Sequence, residues 1–162
     1  MTRSMNEVMV LATKAARGAG APPAQAAQFG AAAVAHLTND RELQDLHNAL
    51  AALPEGPIVW FPLEITRIAE AAQEGRAKGH IVADGTALLQ SYVSTLPYQA
   101  DLTQNDEIHL DLTKPAARLP LQRINLPEAT YAHWSALAAR LLVPESETSR
   151  LSGAGAGLSD ND

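Results

Sequence analysis

The apolar residues of this chain change their spacing near Gly75, and this change constrains the fold more than any other feature of the sequence. Before that point they recur at the spacing of helices. Further on, Ile108, Leu110 and Leu112 alternate strictly with polar residues. A period near 3.6 predicts amphipathic helices, whereas a period of two predicts half-buried strands. The chain is therefore predicted to be an α+β protein with an N-terminal cluster of helices, a small antiparallel β-sheet, and a C-terminal helix followed by a glycine-rich tail.

The helical part is predicted to begin with two helices. Ser4 and Glu7 match a capping box at the start of the first helix, and Gly18 is expected to end it in the left-handed conformation. Pro22-Pro23 predicts the start of the second helix. Gly30 lies inside this second helix, where glycine costs about 1 kcal/mol relative to alanine. We therefore expect a close-packed neighbour at Gly30.

Two further helices are predicted in the same part of the chain. Asn39 and Glu42 repeat the capping pattern at the start of the third helix, which the segment 54–57 (PEGP) ends. Pro62 is expected to open the fourth helix. That helix is expected to stop near Gly75.

The β part is predicted to form a small antiparallel sheet. Asp84-Gly85 favours the tight turn of a hairpin, because both residues accept the positive φ that such a turn needs. Residues 104–106 predict a second turn, directly before the strictly alternating segment. Strands are expected at 81–83, 88–96, 107–112 and 119–126.

A last helix is predicted to open at Pro127 and to end at Val143-Pro144. Tyr131, Trp134 and Leu141 share its apolar face, so we expect Trp134 to be a core anchor. We expect one domain over residues 1–162, made of a helical part (1–75), a β part (79–126), this helix (127–143) and the glycine-rich tail (144–162).

The composition excludes several classes of function. Among 162 residues, 18 Asp and Glu outnumber 12 Lys and Arg, for a net charge of −6. We expect no nucleic-acid partner, because nucleic-acid binding requires a positive surface. Cysteine is absent, which excludes thiolate catalysis and cysteine-ligated metal clusters. No apolar run approaches the roughly 20 residues of a membrane span or the core of a signal peptide, so we expect a cytoplasmic protein with no membrane partner.

Residues that could carry catalysis or bind a metal form no recognisable motif. Glu107, His109 and Asp111 share one strand face, but alternation alone predicts a solvated face, and we prefer that interpretation. No serine lies in a Gly-x-Ser-x-Gly elbow, and too few residues follow the tail glycines for a phosphate-binding helix. We predict no metal and no cofactor, and catalytic residues stay unknown. Four scattered histidines are expected to be structural or exposed: His36, His47, His80 and His133.

The tail SRLSGAGAGLSDND, residues 149–162, has the most unusual composition in the chain. Its glycines permit close backbone approach, and Arg150 can bind an anion. Its terminal aspartates can pair with Lys14 and Arg17 or bind a cation. We expect the tail to dock on the domain with its two leucines buried; the alternative is a flexible, solvated end. The candidate ligand-binding residues are Lys14, Arg17, Arg150, Gly153, Gly155, Gly157, Asp160 and Asp162.

Both ends of the chain resemble a bacterial family known as a domain of unknown function. The resemblance rests on NEVMVLATKAARGAG near the start and on VPESETSRLSGAGAGLSDND at the end, which follows the pattern VPxSExSRxxGAGAGxxDND. It extends over essentially the whole chain. The resemblance implies that the glycine tail is native sequence, and it implies no activity, cofactor or catalytic residue.

Three classes of function stay open at this point. The first is a cytoplasmic small-molecule-binding or accessory module without catalytic activity, which the missing catalytic motifs favour. The second is an enzyme whose site is assembled from the N-terminal KAARGAG stretch and the tail. The third is a structural or self-associating subunit. A small-molecule ligand and a homo-oligomer are therefore both compatible with the sequence.

Overall fold

A computed structural model describes residues 1–83 and 86–142 of the chain. Within these ranges the protein has the expected α+β fold, with six helices and five short strands. The helices are α1 (Met5–Gly18), α2 (Pro23–Thr38), α3 (Leu43–Ala51), α4 (Pro57–Glu70), α5 (Thr86–Val93) and α6 (Glu128–Ala139). The strands are β1 (Thr2–Ser4), β2 (Arg76–His80), β3 (Tyr98–Leu102), β4 (Glu107–Pro115) and β5 (Arg123–Asn125).

The capping box at the start of α1 is confirmed. The Glu7 amide donates to Ser4 Oγ over 3.2 Å, and the Ser4 amide donates to Glu7 Oε2 over 2.7 Å. The predicted stop at Gly18 is wrong, because Gly18 is helical and the left-handed conformation falls on Gly20, with φ of 110°. Gly18 has a packing reason instead, since a Cβ there would overlap the carbonyl oxygen of Leu137.

The close-packed neighbour expected at Gly30 is confirmed. A Cβ at this position would overlap Thr13 Oγ1 and would lie 2.7 Å from the Met9 carbonyl oxygen. Both of those residues belong to α1, so the missing side chain lets α1 and α2 approach closely. These two helices pack against each other, and α1 also packs against α6.

The predicted starts of the third and fourth helices are wrong. Glu42 is the N-cap of α3 without a side-chain capping bond, while the Asn39 side-chain Nδ2 donates to the Ala35 carbonyl at the end of α2 over 2.7 Å. The fourth helix, α4, begins at Pro57, so Pro62 is buried inside it. Pro57 occupies the first helical position, where proline fits without losing a hydrogen bond. The helix ends at Glu70 and not near Gly75.

The segment 81–96 departs most from the prediction. It contains the helix α5, so the strands predicted at 81–83 and 88–96 are wrong. Asp84-Gly85 lies outside the described residues. The buried side chains of α5 recur at i, i+1, i+4 and i+5, which a helix places on one face; they include Leu88, Leu89, Tyr92 and Val93.

The described strands form two antiparallel sheets. The larger sheet has the order β2-β4-β3, and the smaller pairs β1 with β5. The turn predicted at 104–106 and the alternating strand after it are confirmed. The strand predicted at 119–126 is shortened to Arg123–Asn125. Its partner β1, like β2 and β3, has no strand signal that the sequence analysis recognised.

The last helix begins directly after Pro127, as predicted, and ends at Ala139. Trp134 is fully buried, which confirms it as a core residue. Leu141 lies beyond the helix and is exposed, so its expected place on the apolar face is wrong. The predicted helix end at Val143-Pro144 is therefore wrong, since residues 140–142 are already non-helical; Val143 and Pro144 themselves lie outside the described residues. Within residues 1–83 and 86–142, no helix is long and apolar enough to cross a membrane.

Candidate functional site

Only two of the predicted ligand-binding residues belong to the described part of the chain. Lys14 is exposed and Arg17 is half-buried, both near the C-terminal end of α1. In the part of the chain that the structure describes, neither forms a salt bridge. The other six candidates lie outside the described residues: Arg150, Gly153, Gly155, Gly157, Asp160 and Asp162.

The C-terminal ends of α1 and α6 lie side by side. The contact that sets this arrangement is between Gly18 and the backbone of Leu137, where only glycine leaves enough room. Arg17 therefore lies on the same side of the molecule as the end of α6. The docking of the tail on that side stays a prediction.

The strand face that carries Glu107, His109 and Asp111 is solvated, because β4 alternates between buried and more exposed positions. His109 Nε2 lies 2.8 Å from Glu107 Oε2, and this hydrogen bond lowers the pKa of Glu107. A hydrogen bond from the Thr113 hydroxyl likewise lowers the pKa of Asp111. Arg76 approaches Asp111 at 3.9 Å. The described residues contain no group of three such side chains placed to hold a metal ion.

A second candidate site lies between α3, α4 and three further residues, Val82, Ala83 and Leu88. A cleft of about 540 Å³ opens there, and its walls are mainly apolar. Trp60 lines the cleft with 54% of its surface exposed, and Val82 lines it with 96% exposed. Exposed apolar side chains that line a concave surface indicate a binding site more strongly than scattered ones do.

The ends of α3 and α4 shape one end of this cleft. Gly56 has φ of 79° and precedes Pro57, so the chain reverses sharply into α4. A Cβ on Gly56 would lie 2.6 Å from the Ala52 Cβ, which shows how closely the two helix ends approach. The small side chains of Ala49 and Ala52 leave the space that the cleft occupies.

Phe61 forms another part of the cleft wall, and its ring packs against Tyr92 on the side of the core. Its centroid lies 5.9 Å from that of Tyr92 at an interplanar angle of 86°, an edge-to-face arrangement. Tyr92 is buried, and this burial raises the pKa of its hydroxyl. Phe61 is thus a fixed surface, whereas its neighbour Trp60 extends toward solvent.

Asp45 is the ionisable residue among the described residues that line the cleft. Its side chain is 39% exposed, and its Oδ2 lies 3.8 Å from Nε2 of His36. No Lys or Arg among the described residues lies within 4.0 Å of this carboxylate. As far as its described residues go, the cleft is therefore an apolar depression lined by one acidic side chain.

His36 lies behind Asp45 and is fully buried. Its Nε2 lies 2.8 Å from the Glu42 carbonyl oxygen and its Nδ1 lies 2.8 Å from Ser91 Oγ. Burial lowers the pKa of His36, so the neutral ring is favoured. Because a carbonyl only accepts, Nε2 carries the hydrogen, and Nδ1 is left to accept a hydrogen bond.

Ser91 connects His36 to Arg41. The Arg41 guanidinium donates to Ser91 Oγ over 2.7 Å, and the Ser91 hydroxyl faces both His36 Nδ1 and the Ala87 carbonyl, at 2.8 and 2.9 Å. Serine beside histidine is the arrangement of nucleophilic catalysis. Ser91 is fully buried, however, so no substrate reaches its oxygen in this conformation. These contacts join α2, α5 and the loop before α3.

Sequence reasoning missed Trp60, Asp45 and Ser91. Trp60 stands next to Phe61 in α4, and the sequence does not show which of the two aromatic residues is exposed, because a helix can place adjacent residues on one face. The expectation that His36 is structural is confirmed by its burial. No local pattern marks Asp45 or Ser91, whose roles depend on contacts across the fold.

Comparisons of the chain with protein-family models, with curated proteins and with solved structures found no match. The resemblance of its two ends to a bacterial family therefore stays a prediction.

Proposed function

We propose that this protein is a small-molecule-binding module whose ligand occupies the cleft beside Trp60. The observation that carries the proposal is the cleft itself, which has about 540 Å³ of space, apolar walls and an exposed indole. Ligand sites are typically concave, mainly apolar cavities of about 300–1,000 Å³ with few polar groups. A cytoplasmic location and a bacterial origin belong to the same proposal and rest on the sequence alone.

The burial of the one serine–histidine pair that is hydrogen-bonded among the described residues favours a binding role over hydrolysis. Ser91 and His36 are both sealed in the core, and both already have hydrogen-bond partners within it. A hydrolase would need the serine oxygen at the surface of a cleft. The same buried contacts support the walls of a binding site by fixing α5 against α2.

The two tryptophans provide a direct test by NMR spectroscopy. The chain contains only two, so a ¹H–¹⁵N spectrum has two indole signals. Trp60 is exposed in the cleft and Trp134 is fully buried. In a titration with neutral aromatic fragments such as 2-phenylethanol, we expect the Trp60 signal to move in a saturable way while the Trp134 signal stays in place.

Two variants distinguish the cleft from general surface binding. Trp60→Ala is expected to weaken fragment binding at least about tenfold, because it removes the largest apolar contact. This variant has no Trp60 indole signal, so binding to both variants is measured from the backbone amide signals of lining residues such as Asn48. Leu63→Ala is the matched control, since Leu63 is an exposed apolar residue of the same helix that does not line the cleft. Equal losses in both variants, or no saturable shift at Trp60, would contradict the proposal.

A further inference from the structure

We infer that the cleft selects cationic ligands, namely an ammonium group attached to an apolar or aromatic body, with the ammonium facing Asp45. This inference rests on the proposed function and adds the chemical class of the ligand. It depends on three observations: the charge that lines the cleft, the surroundings of that charge, and the aromatic residues beside it.

The charge among the described lining residues of the cleft is acidic. Among the described lining residues, Asp45 is the ionisable one, and the others are apolar except Asn48. The salt bridges of the described residues give Asp45 no Lys or Arg partner within 4.0 Å. A carboxylate beside apolar walls lacks part of its hydration, so a ligand cation next to the carboxylate would compensate the lost hydration.

The nearest ring nitrogen does not neutralise Asp45. His36 is 3.8 Å away, but its Nε2 is already engaged with the Glu42 carbonyl at 2.8 Å. Burial is the largest cause of the lowered pKa of His36; the Glu42 carbonyl and the Asp45 charge raise this pKa by less, and the Arg41 charge lowers it further. The neutral imidazole is therefore favoured at pH 7, and Asp45, in the first turn of α3, has no cationic side chain within 4.0 Å among the described residues.

The aromatic residues favour the same class of ligand. Trp60 and Phe61 both line the cleft, and aromatic faces attract cations as well as apolar surface. The net charge of −6 adds a weak long-range attraction for cations. An anionic ligand would be repelled by Asp45, and the described lining residues contain no basic group to offset this repulsion. A neutral ligand would leave the Asp45 charge unpaired.

A matched series of three probes tests the inference. 2-Phenylethylamine, 2-phenylethanol and phenylacetate carry the same ring with a positive, neutral or negative end group. We expect the amine to bind about tenfold more tightly than the alcohol, as measured from the Trp60 indole shift at low salt, and phenylacetate to bind most weakly. The preference for the amine should shrink in high salt, because screening weakens partly exposed charge pairs.

Two neutralising variants separate the local charge from the net charge. Asp45→Asn keeps the shape of the side chain and should reduce the preference for the amine to less than about twofold, with binding of the alcohol unchanged. Asp40→Asn removes one exposed acidic group that does not line the cleft and should keep the preference. The two indole signals and the melting temperature report whether each variant is folded.

The outcomes distinguish this inference from the proposed function. If all three probes bind with equal affinity at Trp60, the cleft is a binding site but the inference is wrong. If Asp40→Asn removes the preference as fully as Asp45→Asn does, the effect belongs to net charge and the inference is again wrong. If no probe moves the Trp60 signal, the proposed function and the inference fail together.

Discussion

Replacing Ser91 by alanine tests the buried contacts that support the cleft. The change removes a hydroxyl that accepts from Arg41 at 2.7 Å and lies 2.8 Å from His36 Nδ1. His36 is fully buried, so its Nδ1 would be left as an acceptor without a partner. Arg41 is only partly buried, and water can replace its lost bond.

The expected loss follows from this difference between the two partners. An unsatisfied buried acceptor costs about 1–3 kcal/mol, whereas a lost bond that water replaces costs less than about 1 kcal/mol. We therefore expect Ser91→Ala to lower the free energy of unfolding by about 2 kcal/mol. For a chain of this length the loss corresponds to a fall of about 4–8 °C in melting temperature.

Ser94→Ala is the matched control. The Ser94 hydroxyl donates to the carbonyl four residues earlier, that of Gln90, over 2.7 Å, as Ser91 can do toward Ala87. Ser94 has no bond to His36 or Arg41, so its replacement should change stability by less than about 0.5 kcal/mol. Urea denaturation of both variants measures the difference. Equal losses would refute the reasoning, because the hydroxyl of Ser91 would then contribute no more than a local helix bond.

Three further predictions concern the core. Burial lowers the pKa of His36 below its ordinary value of 6.5, so the unfolded chain binds this proton more readily, and stability should fall as the pH drops below 6.5. His36→Gln should reduce this dependence in urea midpoints without abolishing it, because burial lowers the pKa of His47 as well. Gly30→Ala should lower the melting temperature, with a cost of about 1–3 kcal/mol despite alanine's higher helix propensity, because the Met9 carbonyl lies only 2.7 Å from the new Cβ; a rise would contradict the packing argument. Trp134→Ala should cost about 3–5 kcal/mol in chemical denaturation. Trp134→Phe should cost less than half as much, since the buried Nε1 has no hydrogen-bond partner among the described residues.

The helices that the sequence predicted correctly are those whose signals are local. Ser4 and Glu7 are three residues apart, and their side chains bond each other's backbone whatever the rest of the fold does. Gly30 also carried its own signal, because glycine inside a helix requires a compensating reason. The start of α4 was missed because two prolines competed for it, and Pro57 precedes Pro62 at a position that suits a helix start equally well.

The error at α5 has a physical origin. A short apolar run such as 88–93 satisfies a strand and a buried helix almost equally, and only the contacts around it decide. The pairing of β1 with β5 is a related case. Thr2 pairs with Asn125, and no local pattern connects residues so far apart in the chain. The sequence therefore predicted the strictly alternating strand β4 but could not identify these short partners.

The candidate site follows the same rule, because no local pattern in the sequence marks the residues that line the cleft. The glycine tail has an unusual composition, whereas Asp45 and Trp60 are ordinary residues on two ordinary amphipathic helices. They face one cleft because Gly56 and Pro57 reverse the chain between α3 and α4. Asp45 has no Lys or Arg within 4.0 Å among the described residues, and burial favours the neutral form of His36 behind it. Charge without a partner is thus a property of the packed molecule, and the selectivity that we propose for the cleft depends on it.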